Sequence, residues 1–142
     1  MNVITPHHLE TPILIADTNA AEAARMEGML RDVGHRHIRT TNDLREVTGL
    51  YGKWPFGLLI VHVSSTEESG LKTIAALKTA TGDHGPAILA VLEDSDQAGR
   101  DKVLSAGARD FVVHPYVWPV VLRRIGNTLD IWHLENQAAQ TS

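Results

Sequence analysis

Two imidazoles and a carboxylate, His62, His114 and Asp17, are the residues of this chain whose types could do chemistry together, each closing a short apolar run: Ile15-Ala16-Asp17, Ile60-Val61-His62 and Val112-Val113-His114. Two ring nitrogens and a carboxylate form a donor set that suits a transition metal such as Zn²⁺. Plainer readings stand beside that one. Asp17 can cap the next helix or accept from loop amides, and His62 can be a neutral ring satisfied by a backbone carbonyl. A phosphohistidine at His62 is a further alternative. Other groups carry less. Ser64, Ser65 and Thr66 have a histidine nearby but nothing that orients a triad. Gly49-Leu50-Tyr51-Gly52 closes a helix and lacks the strand-to-helix glycine fingerprint of a dinucleotide site. With no cysteine there is no thiol nucleophile, disulfide or thiolate ligand. No catalytic residue and no cofactor is expected, and the chain is read as something other than an enzyme.

Composition narrows the classes further. A chain of 142 residues that is 43% hydrophobic can bury one full core. Its net charge of −4, with no basic run, argues against direct contact with nucleic acid. No stretch approaches the roughly 20 apolar residues of a membrane span, and residues 1–10 lack the pattern of a secretory leader. A cytoplasmic protein that contacts no membrane is expected.

The elements that must position Asp17, His62 and His114 follow from periodicity. Short β-branched runs alternate with stretches of helical spacing, separated by turn residues. The strands read as 12–17 (PILIAD), a weaker peripheral 37–40, a central 56–63 (FGLLIVHV), 86–92 (PAILAVL) and 109–114 (RDFVVH). Helices follow each: one capped by Thr18 or Asn19 and ended by Gly34, one capped by Asn42, one after the polar loop 64–70, one over 94–106, and a last from about Tyr116 to beyond Leu134. Strands apolar on both faces call for a parallel sheet covered by helices on each side. Right-handed crossovers favour a flavodoxin-like doubly wound α/β sheet of five strands in the order 2-1-3-4-5, with any site at the carboxyl ends of the strands. Residues 1–11, His7-His8 included, read as a flexible N-terminal tail, 12–134 as the domain, and 135–142 as a helix extension or tail.

With its elements so arranged, the sequence over residues 12–134 resembles the receiver domains of bacterial response regulators. The family's first strand ends in an acidic pair, here Asp17-Thr18. Its third ends in the phosphoacceptor aspartate with a glycine eight residues on, here His62 and Gly70. Its fifth follows Gly-Ala and ends in Lys-Pro, here Gly107-Ala108 and His114-Pro115. The resemblance implies a cis peptide before Pro115. It also implies a phosphorylation pocket, and most of that pocket is missing. Phosphoryl transfer needs a carboxylate nucleophile, carboxylate-held Mg²⁺, an ammonium and a hydroxyl. His62 replaces the nucleophile, Thr18 the second acid and His114 the lysine, while the hydroxyl position falls on Val91 or Leu92. Glu67, Glu68, Glu93 and Asp94 lie in nearby loops and could restore some charge.

The expected function is therefore that of a non-phosphorylatable receiver-like domain in a two-component-type regulator, acting through a protein partner, an output domain or a second copy of itself. The alternative is a receiver-like domain that senses a metal or other ligand with Asp17, His62 and His114. Self-association is read from the end of the chain, where Leu122, Ile125, Leu129, Trp132 and Asn136 recur at three- and four-residue steps. Leu122 and Ile125 are expected to pack on the sheet, and Trp132, Leu134 and Asn136 to meet the partner of a homodimer.

Overall fold

A computed structural model describes residues 6–141, with side chains over 8–137. Five strands, β1 (Ile13–Ala16), β2 (Ile38–Thr41), β3 (Leu58–Val63), β4 (Ala87–Leu92) and β5 (Asp110–Val113), pair in parallel in the order β2-β1-β3-β4-β5. This is the flavodoxin-like doubly wound order expected from the sequence. The helices are α1 (Pro6–Glu10), α2 (Ala20–Asp32), α3 (Val47–Lys53), α4 (Ser69–Thr81), α5 (Gln97–Ala106) and α6 (Trp118–Thr141). Among the described residues none is long and apolar enough to cross a membrane.

The strands form where they do because they are apolar on both sides, and every residue of β1 and β4 is buried. Alternation divides their side chains between two cores. Ile13, Ile15, Leu58, Ile60, Leu89 and Val91 meet Met26 and Leu30 of α2 and Ile125 and Leu129 of α6 on one face. Leu14, Ala16, Leu59, Val61, Ile88 and Leu92 meet Val47, Ile74, Leu77 and Val103 of α3, α4 and α5 on the other. Each fully buried leucine or isoleucine contributes roughly 1.5–3 kcal/mol, which fixes the strand register as well as the fold.

Several boundaries differ from the sequence reading. Of the two caps expected for α2, Asn19 serves, its side chain accepting from the Glu22 amide. Asn42 caps nothing: Asp43 caps a 3₁₀ turn, Leu44–Glu46, ahead of α3, while the Asn42 side chain donates to the Asp17 carbonyl at 2.9 Å. Helix α5 starts at Gln97 behind an Asp96 cap. Helix α6 starts at Trp118, with Pro119 in its first turn, where a missing amide costs nothing.

Two larger readings are corrected. The supposed flexible tail is helical from Pro6, and His8 is buried; residues 1–5 lie outside the described part. A five-residue helix has too little length to show periodicity, so only its docking reveals it. Trp132, expected to face a partner, turns inward. Its indole packs beside Thr11 over Gly57, and its Nε1–H donates to the Gly85 carbonyl at 3.0 Å. Asn136 is likewise half-buried, donating back to the Trp132 carbonyl at 2.8 Å. Leu122, Ile125 and Leu129 all belong to the α2/α6 core.

Candidate functional site

The alternation that buries Ile15, Ile60, Leu89 and Val112 on the α2/α6 face sends the residue two further along each strand to the same side. Those residues are Asp17, His62, Val91 and His114. Parallel register sets them side by side, since His62 is paired with Val91 and Leu92 with Val113, while the His114 amide donates to the Leu92 carbonyl. Val91 and Leu92 therefore face opposite sides of the sheet. Val91 lines a small cavity with Asp17, His62, His114 and Tyr116, whereas Leu92 belongs to the opposite core and lines a neighbouring groove by the Ser64–Glu68 loop.

Above that cavity the pocket mouth is lined by Asp17, Thr18, Asn19, Glu22, His62, Ser64, Glu67, Glu93 and His114. His62 lies between two carboxylates, with Nδ1 4.0 Å from Asp17 Oδ1 and Nε2 3.8 Å from Glu93 Oε2. Both separations exceed a hydrogen bond, and neither partner is the backbone carbonyl expected for a structural histidine. Asp17 is tied down by its own loop, its Oδ1 accepting from the Asn19 amide at 2.9 Å. That is the loop-amide role foreseen for it.

Glu93 is the pocket residue that sequence reasoning noticed only as nearby charge. Its Oε1 accepts from the Ser65 amide at 2.6 Å and from Ser65 Oγ at 3.3 Å, tying the end of β4 to the loop after β3. The Ser65 amide foremost, then the Ser64 and Ser65 hydroxyls and the His62 ring, hold its carboxyl below the usual glutamate value against a desolvation cost. The only sequence signal was its place directly after a fully apolar strand.

From His62 a run of aromatic contacts leads out of the pocket. His114 meets His62 edge to face with ring centroids 6.4 Å apart, Tyr116 lies 4.6 Å from His114, and Trp118 lies 5.4 Å from Tyr116. The cis peptide expected from the resemblance is present between His114 and Pro115. Burial pushes the Tyr116 phenol above its ordinary value, with Glu22 and Asp17 adding to that shift and Arg25 opposing it.

The chemistry this arrangement can do is limited. Among the described residues no three histidine, aspartate or glutamate side chains are placed to hold a metal ion. The reason is spacing: β5 stands two strands from β3, roughly 9.5 Å at sheet spacing, and the His62 and His114 rings meet edge to face instead of converging. The Ser64 and Thr66 hydroxyls bond one another at 3.0 Å, which leaves them as loop structure.

No protein-family model matches the chain, and no curated protein matches it. Solved structures do resemble it. Chemotaxis protein CheY4 of Vibrio cholerae aligns with a TM-score of 0.75 and 18% identity, covering 84% of this chain and 98% of that one. A response regulator signal receiver domain from Bermanella marisrubri gives 0.74 and 22%, with the same coverages of 84% and 98%. A putative two-component system response regulator/GGDEF domain protein gives 0.78 and 19%, covering 89% of this chain and 52% of the other. At these identities the likeness shows the fold: the chain folds as receiver domains do.

Proposed function

We propose that this chain is a receiver-type signalling domain of a two-component-type regulator that works without phosphorylation, through a protein partner, an output domain or a second copy of itself. One observation carries the reading. The four side chains projecting from the carboxyl ends of β1, β3, β4 and β5 to the pocket side are Asp17, His62, Val91 and His114. The β3 end offers an imidazole in place of an acceptor carboxylate, the β4 end a methyl-bearing side chain in place of a hydroxyl, and the β5 end an imidazole in place of an ammonium. Asp17 remains as a single acid bound to its own loop, a poor seat for a cation that dehydrates as reluctantly as Mg²⁺. The CheY4 and Bermanella likenesses support the signalling class. The half-length match to the response regulator/GGDEF protein supports a domain that serves a longer polypeptide. A cytoplasmic setting and the absence of catalysis belong to the same reading.

The direct test is intact mass spectrometry after incubation with acetyl phosphate and Mg²⁺. No gain of a phosphoryl group is expected. A stable adduct mapped to Asp17 or Glu93 would overturn the reading.

Self-association through α6 stays part of the proposal with a revised seam. The exposed side of α6 carries Arg123, Asn127, Ile131 and Leu134, the last two 41% and 65% exposed. Ile131 and Leu134 are one helical turn apart and form an apolar strip on an otherwise polar face, as a self-complementary helix contact requires.

A further inference from the structure

At the amino ends of the strands, away from the pocket, α1 gathers a second set of imidazoles. His8 of α1 is 1% exposed, and His35, in the turn between α2 and β2, is 2% exposed. The His8 ring stacks on His133 of α6 with centroids 5.8 Å apart, and its Nε2 lies 2.9 Å from Asp130 Oδ1. His133 Nε2 is in turn 3.0 Å from Thr11 Oγ1. Neither ring nitrogen of His35 has a hydrogen-bond partner among the described residues. Burial holds that ring below the ordinary histidine value; the His8 backbone, short of full hydrogen-bond geometry, offsets this, and charge on the His8 ring adds to it.

Leu9 packs over Gly34, and the Arg36 amide donates to the Leu9 carbonyl at 3.2 Å. Glu10 pairs with His37 at 3.1 Å and Arg36 at 3.5 Å, all of them solvent-exposed. Arg31 of α2 is occupied by Glu27 and by the Arg36 and Ile38 carbonyls. The Asp130 carboxylate meets the His8 ring, while no acid meets the buried His35 ring among the described residues.

Charge counting gives the consequence. A proton on His35 would put a charge in a site where burial penalises the ion and neither ring nitrogen has a hydrogen-bond partner among the described residues. We propose that α1 is a proton-released clasp, docked while the buried His35 ring beneath it is neutral and released as pH falls through the histidine range. The sign follows from linkage. The freed His35 takes its proton near the ordinary 6.5, whereas the docked ring resists it. Docking is therefore unaffected above that pH and weakens by up to about tenfold per pH unit below it. Protonating His37 strengthens its pair with Glu10, but that pair is exposed and screened.

Amide hydrogen exchange on the full chain tests this, with the Arg36 amide as reporter of docking and the Ile60 amide of β3 as reporter of the sheet. Between about pH 7.5 and about pH 5, after correction for intrinsic rates, Arg36 protection is expected to fall roughly tenfold per unit below the histidine value while Ile60 stays protected. In His35→Phe, which fills the site without titrating, opening should take up one proton fewer. If that variant does not fold, the His35 C2–H resonance of the wild type serves instead: its titration should coincide with the loss of Arg36 protection. Constant Arg36 protection, loss shared equally with Ile60, or an unchanged proton count in His35→Phe would each overturn the clasp.

Discussion

Glu93 Oε2 lies 3.8 Å from His62 Nε2 while the other oxygen of the same carboxylate accepts from the Ser65 amide, so one side chain joins the end of β4 to both the β3 imidazole and the β3–α4 loop. Glu93 is held below the usual glutamate value, chiefly by that amide. A depressed carboxyl contributes stability that is present above its unfolded value, 4.5, and is lost as pH falls through the folded value. Since the side chain is 42% exposed, solvent screening keeps the contribution to about 0.5 kcal/mol or less. The clearer readout is local. The Ser65 amide proton should shift only below pH 4.5, and Glu93→Gln should abolish that titration. A Ser65 shift that titrates above that value would contradict the assignment.

Gly70 should tolerate no side chain. A Cβ there would lie 2.9 Å from the His62 carbonyl oxygen and 3.1 Å from the Val63 Cα, both backbone atoms at the end of β3. Gly70→Ala must push α4 off the sheet, and a loss of ~1–3 kcal/mol is expected by denaturant titration. Gly28, exposed in the middle of α2, has nothing within 4 Å of a Cβ, so Gly28→Ala should gain ~0.5–1 kcal/mol. Equal effects from the two substitutions would remove the close-approach explanation. The glycine eight residues past His62 is thus spacing made necessary by packing.

The proposed α6 seam can be tested separately from folding. Ile131→Glu with Leu134→Glu should leave the unfolding midpoint nearly unchanged and turn a dimer into a monomer in sedimentation at tens of micromolar, since both side chains face away from the core. Trp132→Ala should instead unfold the protein more easily, by roughly 3–5 kcal/mol, because the indole fills space over Gly57 and satisfies the Gly85 carbonyl. A wild-type monomer at those concentrations would remove the seam.

That contrast shows what the sequence made legible. Strand order, the two-sided burial of β1 and β4, and the gathering of Asp17, His62 and His114 at one end of the sheet all follow from patterns of apolar residues, because burial dominates the energetics and fixes register. Trp132 was misread because helical periodicity gives a face but not its direction, and direction here depended on Gly57 and Gly85, far away in sequence. Helix α1 was missed because its docking rests on Gly34, His35, Asp130 and His133, which nothing in Pro6–Glu10 announces. Glu93 was underweighted because the bond that draws it into the pocket runs to a backbone amide, and backbone donors carry no residue signature.

Restoring phosphorylation should need several substitutions at once, and the order in which they act is open to test. Beryllofluoride and acetyl phosphate both require an aspartate oxygen at the end of β3, and the His62 imidazole supplies none, so the wild type should be inert to both. His62→Asp alone returns the nucleophile but places it 4.0 Å or so from Asp17, about where Nδ1 now lies, with no cation from β5 to balance two acids. Mutual repulsion then favours a shared proton over a nucleophilic pair. Adding Thr18→Asp gives Mg²⁺ a second carboxylate, and His114→Lys supplies the ammonium. Val91→Thr puts a hydroxyl on the pocket face, where Leu92→Thr would bury one in the opposite core. Each contact acts by positioning and charge, so the gains should be strongly non-additive. We expect no detectable adduct with one change and a measurable one only when acid, ammonium and hydroxyl are combined. If His62→Asp/Val91→Thr proves no better than His62→Asp/Leu92→Thr in the combined background, the assignment of Val91 to the hydroxyl position fails. Phosphorylation of the single His62→Asp variant at an ordinary rate would show that the remaining pocket was never dismantled.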